Sequence, residues 1–357
     1  MPSIESNKSK RVLITGANGY IAAWIVKTLL EQGFTVLGAV RTQEKGDKVV
    51  DMFNKYTDRL EIVVVEDMTK DGAFDEAVKR VDAVLHTASP VSSAIEEPEE
   101  FNRPALLGTL GLLTSALKHG TNLKRVVMTS SCSTLHRPVN EPTQFNENDW
   151  AESFIHYVKS AGKKAPFIAK YLVSKALAER ASWEFYQKHK SDIKWDFVTI
   201  LPPYVMGPPL QDLKDPSNLP ASVALFYKAI CTEQTLKAVT AEGPFGYVHV
   251  TDVATAHVEA LKVEKAAGHR IIVAAGGATW QITRDILYRH HPALYKSGVL
   301  PRGYPDIANP ALFTYDAERS KKTLGITYRT LDQIANDTLG YIIAKNWLKG
   351  GQLSAKA

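Results

Sequence analysis

The chain has 357 residues, 45% of them hydrophobic and 23% charged, with a formal net charge of +5. That length accommodates one large α/β domain and a smaller lobe, and the composition excludes disordered and fibrous classes. The basic surplus is spread along the sequence without a Lys/Arg block, which suits an anionic ligand and gives no reason to expect nucleic acid.

The N-terminal stretch is polar and runs directly into an apolar strand, so no signal peptide is expected and the sequons at Asn7 and Asn336 carry no weight. Residues 354–357 are not a peroxisomal address. No apolar run approaches the ~20 residues of a membrane helix. The two cysteines, Cys132 and Cys231, have neither CxxC nor metal spacing. The expectation is a cytoplasmic protein with reduced thiols, no bound metal and no membrane partner.

The first strand, 11–15, leads into Thr15-Gly16-Ala17-Asn18-Gly19-Tyr20-Ile21-Ala22 and a helix over 20–32. Gly16 and Gly19 permit a tight turn and close approach of backbone to a pyrophosphate, and the helix N-terminus supplies N–H donors. Ile21, Ile25, Thr28 and Leu29 share one face, and Gly33 stands where a helix ends. A turn that merely needs positive φ is the competing explanation, and strand before plus helix after argue against it.

The second strand, 35–40, ends at Arg41, with Lys45 and Lys48 beyond it. An acid here would hold the ribose 2′-hydroxyl of NAD; a guanidinium is suited to a 2′-phosphate. NADPH is therefore the expected cofactor. A third strand over 61–65 is followed by Asp67 and Met68, placed to meet an adenine ring, and a fourth over 82–86 by Thr87, Ala88 and Ser89, small enough for a cofactor to lie close. His86 reads as a hydrogen-bonded core histidine.

The fifth strand, 124–130, ends in Thr129-Ser130-Ser131-Cys132. A helix starting near Pro166 then carries Tyr171 and Lys175, one turn apart on one face. A phenol has a pKa of ~10; a neighbouring ammonium lowers it, so the pair can donate a proton to a carbonyl, with a serine hydroxyl on the same oxygen. Strands over 194–201 and 270–274 complete a doubly wound parallel sheet of the Rossmann class. Between and after them, prolines at 202, 203, 208 and 209, a loop over 210–220 and helices over 221–231 and 281–290 mark a smaller, mostly C-terminal lobe. The expected division is a dinucleotide-binding domain over 9–201 plus about 247–275, and a substrate lobe over 202–246 and 276–350.

The order Thr-Gly-Ala-Asn-Gly, His-Thr-Ala-Ser-Pro, Thr-Ser-Ser, Tyr-x-x-x-Lys and Pro202-x-x-Val205-x-Gly207-Pro208 resembles the extended short-chain dehydrogenases/reductases over nearly the whole chain. Within them it is most similar to the fungal NADPH-dependent aldehyde/ketone (methylglyoxal, 3-methylbutanal) reductases. Plant dihydroflavonol and cinnamoyl-CoA reductases are more distant. The resemblance implies Ser131 rather than Ser130 as the catalytic serine, Tyr171 as the acid, and Lys175 as the residue that binds the nicotinamide ribose and tunes Tyr171. It also implies Pro202 and Val205 as the cradle of the carboxamide, Arg41 and Lys48 as 2′-phosphate contacts, and Thr129 beside the cofactor.

His136 stands where dihydroflavonol reductases carry a substrate-contacting asparagine, and the Asn-Trp-Tyr stretch of cinnamoyl-CoA reductases is missing, which argues against both plant activities. Tyr204, Phe226 and Tyr227 are candidate substrate contacts, Phe226 and Tyr227 being equally readable as helix core. The function expected is reduction of small carbonyl compounds by a monomer or homodimer. Two alternatives are a nucleotide-sugar epimerase or dehydratase on the same fold, and a non-catalytic NADPH-sensing regulator.

Overall fold

The computed structural model describes residues 4, 9–89, 97–233, 243–306 and 313–348; Asn7, Pro90 and the residues after 348 lie outside them. The first half runs β1 (Arg11–Thr15), α1 (Tyr20–Glu31), β2 (Thr35–Val40), α2 (Gln43–Met52), β3 (Leu60–Val64), α3 (Asp75–Val78), β4 (Ala83–His86), α4 (Pro98–His119) and β5 (Arg125–Thr129). It continues through β6 (Thr143–Phe145), α5 (Glu152–Ala161), α6 (Phe167–Lys188), β7 (Asp196–Leu201), β8 (Tyr204–Met206), α7 (Ala221–Cys231), β9 (Phe245–His249) and α8 (Val250–Lys262). The last elements are β10 (Arg270–Ile272), β11 (Gly276–Ala278), α9 (Trp280–His290), α10 (Pro292–Lys296), β12 (Phe313–Tyr315), α11 (Glu318–Leu324) and α12 (Leu331–Ala344).

Seven strands form one parallel sheet in the order β10-β7-β5-β4-β1-β2-β3. The central strands β1, β2 and β4 are buried on both faces because both are covered. Val12 and Ile14 pack with α1 and α8 on one side. Leu13 packs with α3, α4 and α6 on the other. The order reverses between β1 and β4, where Thr15 lies beside His86. Such a switch point leaves a crevice at the carboxyl edge, where ligands of open α/β sheets bind.

The buried face of α1 is Ala22, Ala23, Ile25, Val26, Leu29 and Leu30. It is broader than the expected stripe because the helix packs against α8 as well as the sheet. Thr28 sits at its rim, its hydroxyl donating to Trp24 O at 2.8 Å. Gly33 has φ +92°, as a helix stop requires.

Two small sheets have no counterpart in the sequence reading. One is β11-β9-β8, the other β12-β6. Four of their five strands have three residues, too short to show a periodicity. Around the first of them Phe226, Phe245, Trp280, Leu287, Ile334 and Leu339 form a separate apolar core, which gathers α7, α9 and α12 into one lobe. A capping box starts α12: Gln333 N donates to Thr330 Oγ1 at 3.3 Å and Thr330 N to Gln333 Oε1 at 3.0 Å. Thr330→Ala is expected to cost about 1 kcal/mol, read as a fall of roughly 2 °C in thermal melting.

Candidate active site

A groove of about 300 Å³ opens at the switch point, lined by Gly16, Asn18, Gly19, Arg41, Lys45, Met68, Thr87, Ala88 and Ser89 among others. Gly16 has φ +68°, and a Cβ there would come within 3.1 Å of Ala88 Cα, so both backbone conformation and space require glycine. Gly19 N donates to Gly16 O at 2.8 Å, closing the turn. Gly19 is also the N-cap of α1 and has no side chain to cap it. The first N–H groups of α1 therefore remain available to an anion, which is what a pyrophosphate needs.

The wall between β1 and β4 is fixed by one hydroxyl. Thr15 Oγ1 accepts from the backbone N–H groups of Thr87 and Ala88, both at 3.1 Å. Its single proton then goes to His86 Nδ1 at 2.9 Å, leaving Nε2–H to face Thr109 Oγ1 at 3.3 Å. Burial, reinforced by Lys175, holds the His86 pKa down at about 3. His86 is a neutral core histidine that shapes the groove.

At the mouth, Arg41 makes no ion pair among the described residues. Lys45 lines the groove beside it. Lys48 lies one turn further along α2, paired with Glu44 at 2.6 Å. Asp67 is likewise turned to local use: Thr69 N and Oγ1 donate to its Oδ1 at 2.9 and 2.7 Å, and these bonds lower its pKa. Met68 faces the groove. Of the basic and acidic residues singled out in the sequence, Arg41 and Lys45 reach the groove lining, and Lys48 and Asp67 do not.

The loop after β8 closes one side. Tyr20 Oη donates to Gly207 O at 2.8 Å and Trp24 Nε1 to Pro208 O at 2.9 Å. Gln211 Nε2 donates to the carbonyls of Asn18 and Gly19 at 3.1 and 2.9 Å, seating the loop on the glycine turn. Gln211 is separated from that turn by nearly two hundred residues, so no sequence pattern could single it out. Pro202 accepts from Cys132 N at 2.9 Å. Val205 is buried, paired with Val248.

The two serines after β5 have different surroundings. Ser130 Oγ donates to the buried Glu179 carboxylate at 2.7 Å. Ser131 Oγ accepts from Ser133 N at 3.1 Å and lies beside the Tyr171 hydroxyl. Burial raises the Tyr171 pKa above that of a free phenol; the neighbouring Ser131 hydroxyl opposes this and Tyr204 adds to it. The lowering by Lys175 expected from the sequence is not what this geometry provides. The ammonium instead donates to Thr129 O at 3.1 Å. Burial brings the Lys175 pKa down to about 8, with Glu179 acting against it. Thr129 Oγ1 lies 2.7 Å from His257 Nε2, and His257 Nδ1 2.8 Å from Val253 O. A carbonyl only accepts, so His257 carries its proton on Nδ1 and accepts from Thr129.

On the far side of Tyr171 stand aromatic residues. His136 Nε2 is 2.6 Å from the Tyr315 hydroxyl, and its ring stacks on Phe145 and meets Phe313 edge-on. Burial lowers the His136 pKa to about 4. Tyr204 interacts with both Tyr171 and Tyr315. Tyr315 escaped the sequence reading because it reaches the site through β12, which pairs with β6. Phe226 and Tyr227 are not brought there. Phe226 is fully buried in the lobe core against Trp280, and Tyr227 Oη donates to Trp347 O at 2.8 Å.

Among the described residues no three His, Cys, Asp or Glu side chains cluster to hold a metal, and no helix is long and apolar enough to cross a membrane. The arrangement is a groove over the glycine turn and the ends of β2 and β4, with Ser131, Tyr171 and the buried Lys175 gathered after β5 of the same sheet.

Comparison with known proteins gives the same picture. A ketoreductase of Aspergillus niger is 33% identical over 341 residues, spanning 93% of this chain and 97% of the relative. The NADPH-dependent methylglyoxal reductase of Saccharomyces cerevisiae is 33% identical over 344 residues, 93% of this chain and 98% of that protein. The crystal structure of the yeast methylglyoxal/isovaleraldehyde reductase complexed with NADPH superposes with a TM-score of 0.79 at 30% identity, covering 94% of this chain and 98% of that one. The sequence profile of the NAD dependent epimerase/dehydratase family matches residues 12–276. The chain therefore belongs to that family, as one of its extended short-chain dehydrogenases/reductases.

Proposed function

We propose that this protein is an NADPH-dependent reductase that converts aldehydes and ketones to alcohols. The observation that carries the reading is the buried Tyr171 hydroxyl beside Ser131 at the carboxyl edge of the sheet, with Lys175 one helical turn away. The groove fits a dinucleotide by its uncapped helix start and its glycine at positive φ. Gly16, Asn18, Gly19, Tyr20 and Ile21 would hold the pyrophosphate, Thr87, Ala88 and Ser89 the adjoining sugar, and Pro202 and Val205 the carboxamide. Arg41, with Lys45 or Lys48, would take the 2′-phosphate, and Met68 with Asp67 the adenine. When bound, NADPH supplies the hydride.

The chain's own residues do the remaining work. Ser131 accepts from Ser133 N, so its hydroxyl proton is free to point at a substrate oxygen. Tyr171, kept protonated by burial, gives its proton to that oxygen as the alcohol forms. Lys175, an ammonium one helical turn away, would hold the nicotinamide ribose. His136, Tyr204 and Tyr315 offer an aromatic wall for the substrate's apolar part.

The test is a panel of aldehydes, ketones and vicinal dicarbonyls incubated with the protein and NADPH, followed by absorbance. NADPH oxidation with several members is expected. No oxidation with any member sinks the reading. Against the epimerase alternative, Arg41 and Lys45 occupy the groove mouth where an acid would grip NAD.

A further inference from the structure

Tyr171, Lys175 and Glu179 follow one another at intervals of four on α6, so they share one face on successive turns. The third of them has no place in the chemistry above. It is nonetheless fully buried beneath it, in contact with Arg270.

Its partners surround both oxygens. Thr199 Oγ1 and Arg270 Nε donate to Oε1 at 2.8 and 2.9 Å. Ser130 Oγ and Arg270 Nη2 donate to Oε2 at 2.7 and 3.1 Å, with Thr134 Oγ1 at 2.9 Å from the same oxygen. Arg270 is equally saturated. Its Nη1 donates to the carbonyls of Glu147 and Asp149 at 2.6 and 2.9 Å, and its guanidinium lies 3.7 Å from the centre of the Trp150 ring. Removing one partner of such a pair is costly, whereas a pair of apolar groups can often replace it. Stability alone therefore gives little reason to bury a carboxylate here.

The residues it holds flank Ser131 on both sides. Ser130 precedes it, and Thr134, whose hydroxyl also lies 2.9 Å from Ser131 O, closes the turn that Ser131 caps. One turn of α6 in the other direction stands Lys175. We propose that Glu179 is a positioning residue: it fixes the Ser131 turn through Ser130 and Thr134, and keeps Lys175 charged in a buried setting. The inference rests on the reductase reading for its assay, but it makes a different prediction.

The groups facing Lys175 make the electrostatic half specific. On its own helix these are Tyr171 and Glu179. From β4 comes His86, neutral because burial depresses it. From β5 comes the Thr129 carbonyl and, behind the Thr129 hydroxyl, the neutral His257 of α8. The described part of α4 presents Thr109 beside His86. Glu179 is thus the negative charge acting on the ammonium, and Arg270 lies beyond it.

The ammonium is lost as pH rises through about 8. Without the Glu179 charge that loss comes at lower pH. The measurement is the pH profile of kcat/KM for NADPH, which reports the unliganded enzyme. It is taken for the parent, Glu179→Gln, and the double variant Glu179→Gln/Arg270→Met, with folding followed by thermal melting. The double variant removes both charges and leaves no unpaired guanidinium. In either folded variant the alkaline limb is expected to move down by half a pH unit or more. A limb that stays at the parental midpoint overturns the proposal.

Ser130→Ala/Thr134→Val keeps the charge and cuts the carboxylate from the turn. It is expected to lower kcat roughly 5- to 10-fold with the alkaline limb unmoved, and parental kcat overturns the positioning role even where the charge variants fail to fold. Failure of the reductase reading looks different, because the parent itself would then turn over no carbonyl.

Discussion

Replacing Tyr171 with phenylalanine is expected to lower turnover at least ~10²-fold, the usual contribution of a general acid. The ring stays, so packing on α6 is retained. What disappears is the hydroxyl that lies beside Ser131 and is held protonated by burial at neutral pH. Ser131 keeps its bond from Ser133 N and can still orient a carbonyl, but it has no ammonium next to it to support loss of a proton. The variant should bind NADPH as the parent does, because the groove contacts lie on the glycine turn, the end of β2 and the wall after β4. Single-turnover kinetics with a reactive carbonyl, together with fluorescence titration of NADPH, separate the two effects. Turnover within a few-fold of the parent removes Tyr171 from its role.

Much of this site was legible because its parts stand at strand ends. A parallel sheet covered on both faces requires continuous Val/Ile runs, and β1 and β2 fall where those runs do. Gly16 and the Thr-Ser-Ser end of β5 could then be located by counting from the strands. Tyr171 and Lys175 needed only a helix to share a face.

The features that escaped depend on contacts across the chain. Gln211 meets the glycine turn from a loop behind four prolines, and Tyr315 arrives on a three-residue strand. Glu179 stands in plain view on the helix face that carries Tyr171 and Lys175, but a lone glutamate in a helical sequence reads as solvated surface. Its burial follows from Arg270, ninety-one residues away. The direction of the Tyr171 shift was also not legible. A Tyr/Lys pair on adjacent turns suggests mutual charge stabilisation, whereas the fold directs the ammonium to the Thr129 carbonyl and leaves burial to dominate.

The second large effect concerns the cofactor. Arg41→Ala is expected to raise the KM for NADPH roughly 10- to 100-fold, as loss of a charge-assisted contact of about 1.5–3 kcal/mol implies. The KM for NADH should change by no more than a few-fold, because NADH has no 2′-phosphate for the guanidinium to hold. Arg41 stands at the groove mouth with Lys45, and the nearby Asp67 carboxylate is outside the groove lining and bonded to Thr69. The lysines divide by geometry. Lys45 lines the groove, whereas Lys48 is paired with Glu44 on the exposed side of α2, so Lys45→Ala should weaken NADPH more than Lys48→Ala. Salt gives an independent check: the NADPH preference of the parent should shrink as ionic strength rises, since charges at an open mouth are screened, and that of Arg41→Ala should shrink less. Equal losses for NADPH and NADH would mean that Arg41 supports the end of β2 rather than the phosphate, and the basis for NADPH over NADH would have to lie elsewhere in the groove.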